Sequence, residues 1–173
     1  MVRIDKINRE SLRLRGYSYS WVGEYFVTLS TKDREHLFGE ITNWVVQLTR
    51  AGGIAIACWK EIPLHFTNIE LDEFIVMPNH IHGILSITET LRRDVQLNIP
   101  TDDYFSRISP KRGSLAVVVR TYKAAVTTIC RQNGIGEFAW QRGYYDHIIR
   151  DNDSLDRIRA YIIRNPQCWE RNE

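Results

Sequence analysis

The chain has 173 residues, of which 43% are hydrophobic and 25% are charged, and these values exclude a disordered, collagen-like or disulfide-scaffold chain. Its net charge is only +2, but the charges are unevenly distributed. Residues 61–106 carry 8 acidic and 2 basic side chains, whereas residues 107–150 carry 8 basic and 2 acidic ones. The second segment therefore predicts a basic surface that the net charge conceals.

The hydrophobic pattern predicts an alternation of strands and helices. In chain order we expect a strand over 25–30, a β-prone hairpin segment over 41–48, a helix over 50–62, strands over 69–77 and 80–87, a helix over 114–133, a strand over 144–149 and a helix over 153–165. Pro63 and Pro166 are expected to end the first and last helices, and Asp153 to cap the last one. This order indicates an α+β domain whose helices cover one face of an antiparallel sheet.

Length and cysteine content indicate one domain with reduced thiols. We expect a basic arm over residues 1–20, a single domain over 21–169 with a variable loop over 88–113, and a tail over 170–173. The three cysteines lack the spacing of a disulfide framework or a thiolate metal site. No apolar run approaches the ~18 residues of a membrane span, and the basic N-terminus lacks the apolar core of a secretory signal. These features predict a cytoplasmic protein with no membrane partner.

Two histidines share one face of the predicted strand over 80–87. Side chains alternate across a strand, so His80 and His82 point the same way while the apolar odd-numbered residues face the other. Imidazole is the commonest metal ligand, and two rings at this spacing can bind one ion. Two half-exposed histidines under a covering helix would show the same pattern. A third ligand is needed to separate these alternatives.

The last predicted helix supplies candidates for that third group. Tyr161 and Asn165 are four residues apart, so they share one helix face at the edge of the buried stripe. A boundary tyrosine with a solvated hydroxyl, and an asparagine that merely precedes a proline, are the common alternatives. Only the position of this helix relative to the histidines distinguishes them, and the spacing does not fix that position.

Three segments together resemble a known family. VMPNHIHGIL at residues 76–85 resembles the His-hydrophobic-His motif of the single-tyrosine HUH transposases. WQRGYYDHIIRDNDSLDRIRAYIIRNPQCW at residues 140–169 resembles the tyrosine-helix segment of their REP-associated branch, and SLRLRGYSYSWVGEYFVTLST at residues 11–31 is also similar to that branch. The resemblance spans roughly residues 9–169. It implies a ferredoxin-like core whose sheet carries the two histidines.

The resemblance also implies roles for individual residues. Tyr161 would be the nucleophile, and His80, His82 and Asn165 would bind Mg²⁺ or Mn²⁺. Imidazole suits Mn²⁺ better than Mg²⁺, which prefers oxygen ligands and water. A bound divalent cation would polarise the phosphate oxygens of a DNA strand. Attack by the tyrosine would then give a 5′-phosphotyrosine and a free 3′-OH, and another 3′-OH could reverse the step without an energy source.

The substrate that the resemblance implies is single-stranded DNA carrying a hairpin, as in a repetitive extragenic palindrome (REP). The side chains that we predict to contact this DNA are Arg13, Arg15, Arg112, Arg120, Lys123, Trp140 and Arg142. The alternative role for each arginine or lysine is that of a solvated surface charge, and the alternative for Trp140 is a place in the core. Tyr144 and Tyr145 match the family's strand before the helix, so we expect them to be structural or to contact DNA. The family builds its site from one chain or from two, so a monomer and a homodimer are both compatible.

Two other functions stay open at this point. A non-catalytic ferredoxin-like module could bind structured nucleic acid, but it would not need both histidines together with Tyr161 and Asn165. A metal-dependent hydrolase unrelated to transposition would not need the tyrosine. We therefore expect a metal-dependent tyrosine transposase. This expectation requires the Tyr161 hydroxyl to lie beside His80 and His82.

Overall fold

A computed structural model describes residues 22–89 and 113–169. In chain order, the elements are β1 (Gly23–Ser30), β2 (Gly39–Thr42), β3 (Val45–Leu48), α1 (Arg50–Lys60), α2 (Ile62–His65), β4 (Ile69–Met77), β5 (His80–Ile87), α3 (Leu115–Gln132), β6 (Tyr145–Ile149) and α4 (Asn152–Cys168). Four strands form one antiparallel sheet in the order β4-β5-β1-β6. With α1 before β4 and α3 before β6, this is the βαββαβ topology of a ferredoxin-like fold. The predicted α+β class is confirmed.

The two faces of the sheet have different helical partners. One face packs against α1 and α3 in the main hydrophobic core, which includes Leu29 of β1 and Ile81 and Leu85 of β5. The opposite face packs against α4. The buried side chains of that smaller cluster are Phe26, Ile84, Ile149, Leu155 and Ile162. The helices therefore cover mainly one face, as expected, and α4 is the exception.

A close approach between α1 and β5 sets the position of the strand that carries the histidines. Trp59 of α1 is fully buried, and its indole lies against Gly83. A Cβ at Gly83 would overlap the ring. The indole also stacks on Phe74 at 5.7 Å and meets Tyr122 edge-on at 5.2 Å, so it has little room to move. Close packing against Trp59 therefore requires a glycine at position 83.

The β-prone segment over 41–48 forms the predicted hairpin outside the main sheet. Strands β2 and β3 pair in antiparallel register. The two residues between them, Asn43 and Trp44, have φ values of 52° and 65°. Positive φ at both central residues gives a tight turn whose twist matches that of the flanking strands.

Two prolines do not end helices where the sequence predicts. α1 ends at Lys60, but Pro63 lies in the first turn of α2, where a missing N–H breaks no intrahelical hydrogen bond. α4 begins after Asp151, two residues before the expected cap, and continues through Pro166 to Cys168. Pro166 is buried in the last turn, so the loss of one backbone bond is outweighed by packing that the local rule does not contain.

Some of the predicted organisation lies outside the described residues. This is the case for the N-terminal arm, the tail and most of the variable loop, and with them Arg13, Arg15 and Arg112. All three cysteines are described and are free thiols. Within residues 22–89 and 113–169, no helix has the length and apolar character needed to cross a membrane.

Gly83→Ala is expected to destabilise the fold because the new methyl group meets the buried Trp59 ring. Overpacking of this kind costs roughly 1–3 kcal/mol. Gly53→Ala is the matched control, since Gly53 lies in α1 with open space at its Cβ position. That exposed helical site should gain about 1 kcal/mol. Urea denaturation of the two variants measures both effects, and equal stability of the two would contradict the packing argument.

Candidate active site

The two imidazoles of β5 converge on one face of the sheet. In the register of β1 with β5, His80 lies opposite Ser30 and His82 opposite Thr28. The Nε2 atoms of the two histidines are 3.0 Å apart, and the ring centroids are 4.4 Å apart. The shared face that alternation predicts is therefore present.

Hydrogen bonds to the other ring nitrogens orient both imidazoles. Asn79 Oδ1 lies 2.7 Å from His80 Nδ1. A carbonyl oxygen only accepts, so His80 Nδ1 carries the hydrogen and Nε2 presents a lone pair. His82 Nδ1 lies 2.9 Å from Thr28 Oγ1, a hydroxyl that donates or accepts. When His82 Nδ1 donates to Thr28, both Nε2 lone pairs point at the same space.

Burial keeps both imidazoles neutral. It lowers the pKa of His80 to about 4, with a further contribution from the Arg34 charge. Burial and then the charge of His80 lower the pKa of His82 to about 3. At neutral pH the pair is therefore uncharged, which is the form that binds a metal ion.

The Tyr161 hydroxyl reaches this pair within the same chain. It lies 3.2 Å from His82 Nε2, and the two rings are 5.2 Å apart. Phe26 meets the tyrosine ring edge-on at 6.2 Å and the His82 ring at 5.2 Å. Tyr161 is nevertheless 49% exposed, so solvent and a large substrate can reach its side chain.

Asn165 lies in the sequence between two residues that contact the histidines, one in α4 and one just after it. Tyr161 touches His82, and Trp169, just after the helix, stacks on His80 at 5.8 Å with 25° between the rings. Residues 161, 165 and 169 are spaced at four, so they follow one another along one helix face. Asn165 is buried at 7% exposure, in agreement with a position facing the sheet.

An ion pair attaches the tyrosine helix to the edge of the sheet. Arg159 of α4 forms hydrogen bonds from Nε and Nη2 to the Asp72 carboxylate of β4, at 3.0 and 2.6 Å. Arg159 Nη1 also binds Asp156 at 3.1 Å. The guanidinium holds the pKa of Asp72 below its usual value. Asp72 lies in the β-bulge between Leu71 and Phe74, which interrupts the register of β4 with β5.

The distance between the two histidine nitrogens fits a divalent cation. Two ligands each about 2.1 Å from one ion and at right angles are about 3.0 Å apart, as the Nε2 atoms are. Within the described parts of the chain, no group of three His, Cys, Asp or Glu side chains is arranged to hold a metal ion. The two histidine nitrogens are the donors that the described residues bring together, and Asn165 as a third ligand stays a prediction.

Three of the predicted DNA contacts line a groove of about 460 Å³ beside α3. Its lining includes Lys123, Arg131, Trp140 and Arg142. Lys123 Nζ donates to two backbone carbonyls of the loop before β6, at 2.9 and 2.6 Å, and burial lowers its pKa to about 8. Trp140 Nε1 donates to the Lys123 carbonyl at 3.1 Å. These two side chains thus have structural contacts, and their contact with DNA stays a prediction.

The groove lies at the same end of the sheet as the histidines but on the α3 side. Gln141 N donates to Ser30 O at 2.9 Å, and Ser30 pairs with His80 across β1 and β5. Arg142 is exposed beside the groove, and Arg120 is exposed on α3 without lining it. Arg131 is a groove residue that the sequence did not single out, since an isolated arginine on a helix carries no distinguishing signal.

Comparison with known proteins places the chain in a family. It is 40% identical over 168 residues to an uncharacterized protein of Haemophilus influenzae, covering 96% of this chain and 92% of that protein. The chain therefore belongs to the family of that Haemophilus protein. No protein-family model matches the chain.

Comparison of structures supports the fold. A REP-associated tyrosine transposase bound to a REP hairpin aligns with a TM-score of 0.57 and 20% identity, over 91% of this chain and 73% of that one. The two chains share the ferredoxin-like fold. A candidate transposase from Deinococcus radiodurans R1 aligns with a TM-score of 0.42 and 18% identity, over 90% of this chain and 98% of that one.

The stability of the protein at low pH should depend on His80 and His82. In the unfolded chain they accept protons near pH 6.5, whereas in the folded chain they do so only near pH 4 and 3, so protons favour unfolding between these values. The free energy of unfolding should fall by about 2 kcal/mol between pH 6 and 5. His80→Gln/His82→Gln should lose most of this slope, while exposed His65→Gln should keep it. Urea denaturation at each pH measures the slopes, and a slope unchanged in the double variant would refute the assignment.

Proposed function

We propose that the protein cleaves and rejoins single-stranded DNA through a covalent bond to Tyr161. The observation that carries this proposal is the 3.2 Å approach of the Tyr161 hydroxyl to His82 Nε2, beside a second imidazole nitrogen at 3.0 Å. A phenol and two neutral imidazoles, brought together from β5 and α4, have no evident packing purpose together. The similarity of fold to a REP-associated tyrosine transposase supports the same interpretation.

A divalent cation, Mg²⁺ or Mn²⁺, is part of the proposal. His80 and His82 would hold it through Nε2, and Asn165 through its side-chain oxygen. When bound, the cation would polarise the phosphate oxygens and stabilise the charge that develops on them. Asn79 and Thr28 would keep the two Nε2 lone pairs directed at the ion, as ring-orienting partners do at other histidine sites.

The chain's own contribution to the chemical step is the nucleophile and its position. The Tyr161 oxygen would form a bond to phosphorus, and the bond from phosphorus to the 3′ oxygen of the preceding nucleotide would break. The phenol proton would pass to solvent, which reaches the exposed side chain, and the leaving 3′ oxygen would take up a proton. The contact with Phe26 and the attachment to α4 restrict the tyrosine ring, so its hydroxyl would already lie close to a phosphate bound beside the histidines. Return attack by a 3′-OH would reverse these bonds and join strands.

The substrate that we propose is DNA with a hairpin next to a single strand. The fold neighbour is bound to a REP hairpin. The basic groove on α3 and the candidate active site meet at one end of the sheet, so a hairpin backbone in the groove would direct its flanking strand towards Tyr161. The Tyr161 hydroxyl meets the two histidines within one chain, which is consistent with action as a monomer. A cytoplasmic location would give it access to DNA.

A covalent adduct is the decisive test. We expect wild-type protein, incubated with Mn²⁺ and a pool of hairpin-bearing single strands with randomised flanks, to give a protein–DNA adduct on a denaturing gel. The adduct should retain a 3′-terminal label and lose a 5′-terminal one, because the tyrosine holds the 5′ phosphate. Tyr161→Phe should abolish it. Tyr145→Phe is the matched control, since Tyr145 is similarly exposed (47%) and also contacts Phe26.

The other outcomes separate the alternative functions. DNA binding without an adduct in the wild type would indicate a nucleic-acid-binding module. Cleavage that survives Tyr161→Phe would indicate a hydrolase that does not use the tyrosine. Loss of the adduct in Tyr145→Phe as well as in Tyr161→Phe would contradict a specific role of Tyr161 as the nucleophile.

Direct Mn²⁺ binding tests the proposed ligand set without DNA. Asn165→Ala should weaken Mn²⁺ binding about 10- to 100-fold, and His82→Gln at least as much. Asn152→Ala, an exposed asparagine in the first turn of the same helix, should have no effect. Electron paramagnetic resonance of free Mn²⁺ gives the affinities. Equal affinity of Asn165→Ala and wild type would remove Asn165 from the site.

A further inference from the structure

The segment that follows β1 runs along the open edge of the candidate active site. β1 ends at Ser30, opposite His80, and a short 3₁₀ turn covers Lys32–Arg34. This segment belongs neither to the sheet nor to α4. No motif marks it in the sequence, and the proposed chemistry above does not use it.

Both ends of this segment are fixed to the site. Thr31 is fully buried, its backbone N–H donates to Asn79 O at 2.9 Å, and its hydroxyl lies 2.9 Å from the same oxygen. Asn79 is the residue that orients the His80 ring. At the other end, the ring of His36 lies 5.5 Å from that of Trp169, which stacks on His80.

The backbone between these anchors adopts an unusual conformation. Asp33 and Arg34 have φ values of 52° and 56°, in the left-handed region that residues with side chains rarely occupy. Two such residues in succession cost free energy, and conformations of this kind cluster at functional sites. Asp33 forms a 3.9 Å ion pair with Lys32. The turn leaves the Arg34 side chain exposed, and its positive charge acts on His80.

We propose that Arg34 binds the phosphate of the DNA strand in the candidate active site. The inference rests on the proposed function for its class of substrate, a phosphodiester. The two imidazoles are neutral, so they carry no charge to balance that of a phosphate. On α4, Arg159 is already bound to Asp72 and Asp156, while Arg157 and Arg164 are exposed within one turn of Tyr161. A guanidinium presents paired N–H donors that match the oxygens of a phosphate, and its charge does not depend on pH.

This role gives a reason for the strained turn. A phosphate that is bound to neutral ligands and a cation on one side would receive hydrogen bonds from Arg34 on the other. Its charge becomes more negative as the tyrosine attacks, so a fixed guanidinium would stabilise the transition state more than the ground state. A turn anchored by Thr31 and His36 would hold the guanidinium there without reorganisation.

A dinucleotide with a single phosphate tests the contact directly. The probe is thymidylyl-(3′→5′)-thymidine with Mg²⁺, followed by NMR of the arginine side-chain Nε–H groups. The Arg34 signal, identified as the one that is missing in Arg34→Gln, should shift and saturate. The Arg150 signal should not shift, because Arg150 follows β6 at the opposite end of the sheet. The methylphosphonate analogue, which lacks the negative charge, should leave both signals unchanged.

The variants make the test quantitative. Arg34→Gln should weaken dinucleotide binding roughly tenfold, as followed by the Trp169 indole signal, and Arg34→Lys should recover part of the loss. Arg150→Gln should bind as the wild type does. An Arg34 signal that does not shift overturns the inference, as does equal binding of the charged and neutral probes. Since no step requires cleavage, these results are independent of whether the adduct with Tyr161 forms.

Discussion

The alternation of side chains along β5 is the constraint on which the rest of the candidate site depends. Ile81 and Leu85 must face α1 and α3, and the Trp59 indole at Gly83 allows no shift of the strand towards the helices. The residues between them therefore have to point to the other face. Two imidazoles that would be costly to bury alone are thus brought together, and their burial is compensated by hydrogen bonds to Asn79 Oδ1 and with the Thr28 hydroxyl. A shift of one residue in register would exchange the two faces completely.

Those features of the fold that follow from local pattern were predictable from the sequence. The bounds of β4 and β5 agree with the expected strands, and α3 agrees within one residue at each end. The end of α4 was predicted wrongly because Pro166 is buried inside the last turn instead of ending the helix. The approach of Tyr161 to the imidazoles was expected from the family resemblance, but two other neighbours were not predictable. Thr28 and Trp169 are distant in sequence from the histidines, and the pairing register and helix placement that join them leave no local signal.

The tyrosine helix is attached at several points that differ in kind. The Asp72–Arg159 ion pair ties it to β4, the cluster around Leu155 and Ile162 ties it to the centre of the sheet, and Trp169 ties its end to His80. Tyr161 lies between these attachments, and its half-exposed ring touches the apolar cluster only at its edge, through Phe26. Its position is therefore fixed while its side chain stays accessible, which is the combination that a nucleophile acting on a large substrate requires.

The smaller cluster beneath α4 makes this helix a separable unit of the fold. It buries five side chains apart from the main core, and only residues 150–151 connect it to β6. Segments of this kind detach at a lower free energy than the whole domain unfolds. Detachment would withdraw the tyrosine from the histidines while leaving both imidazoles in place.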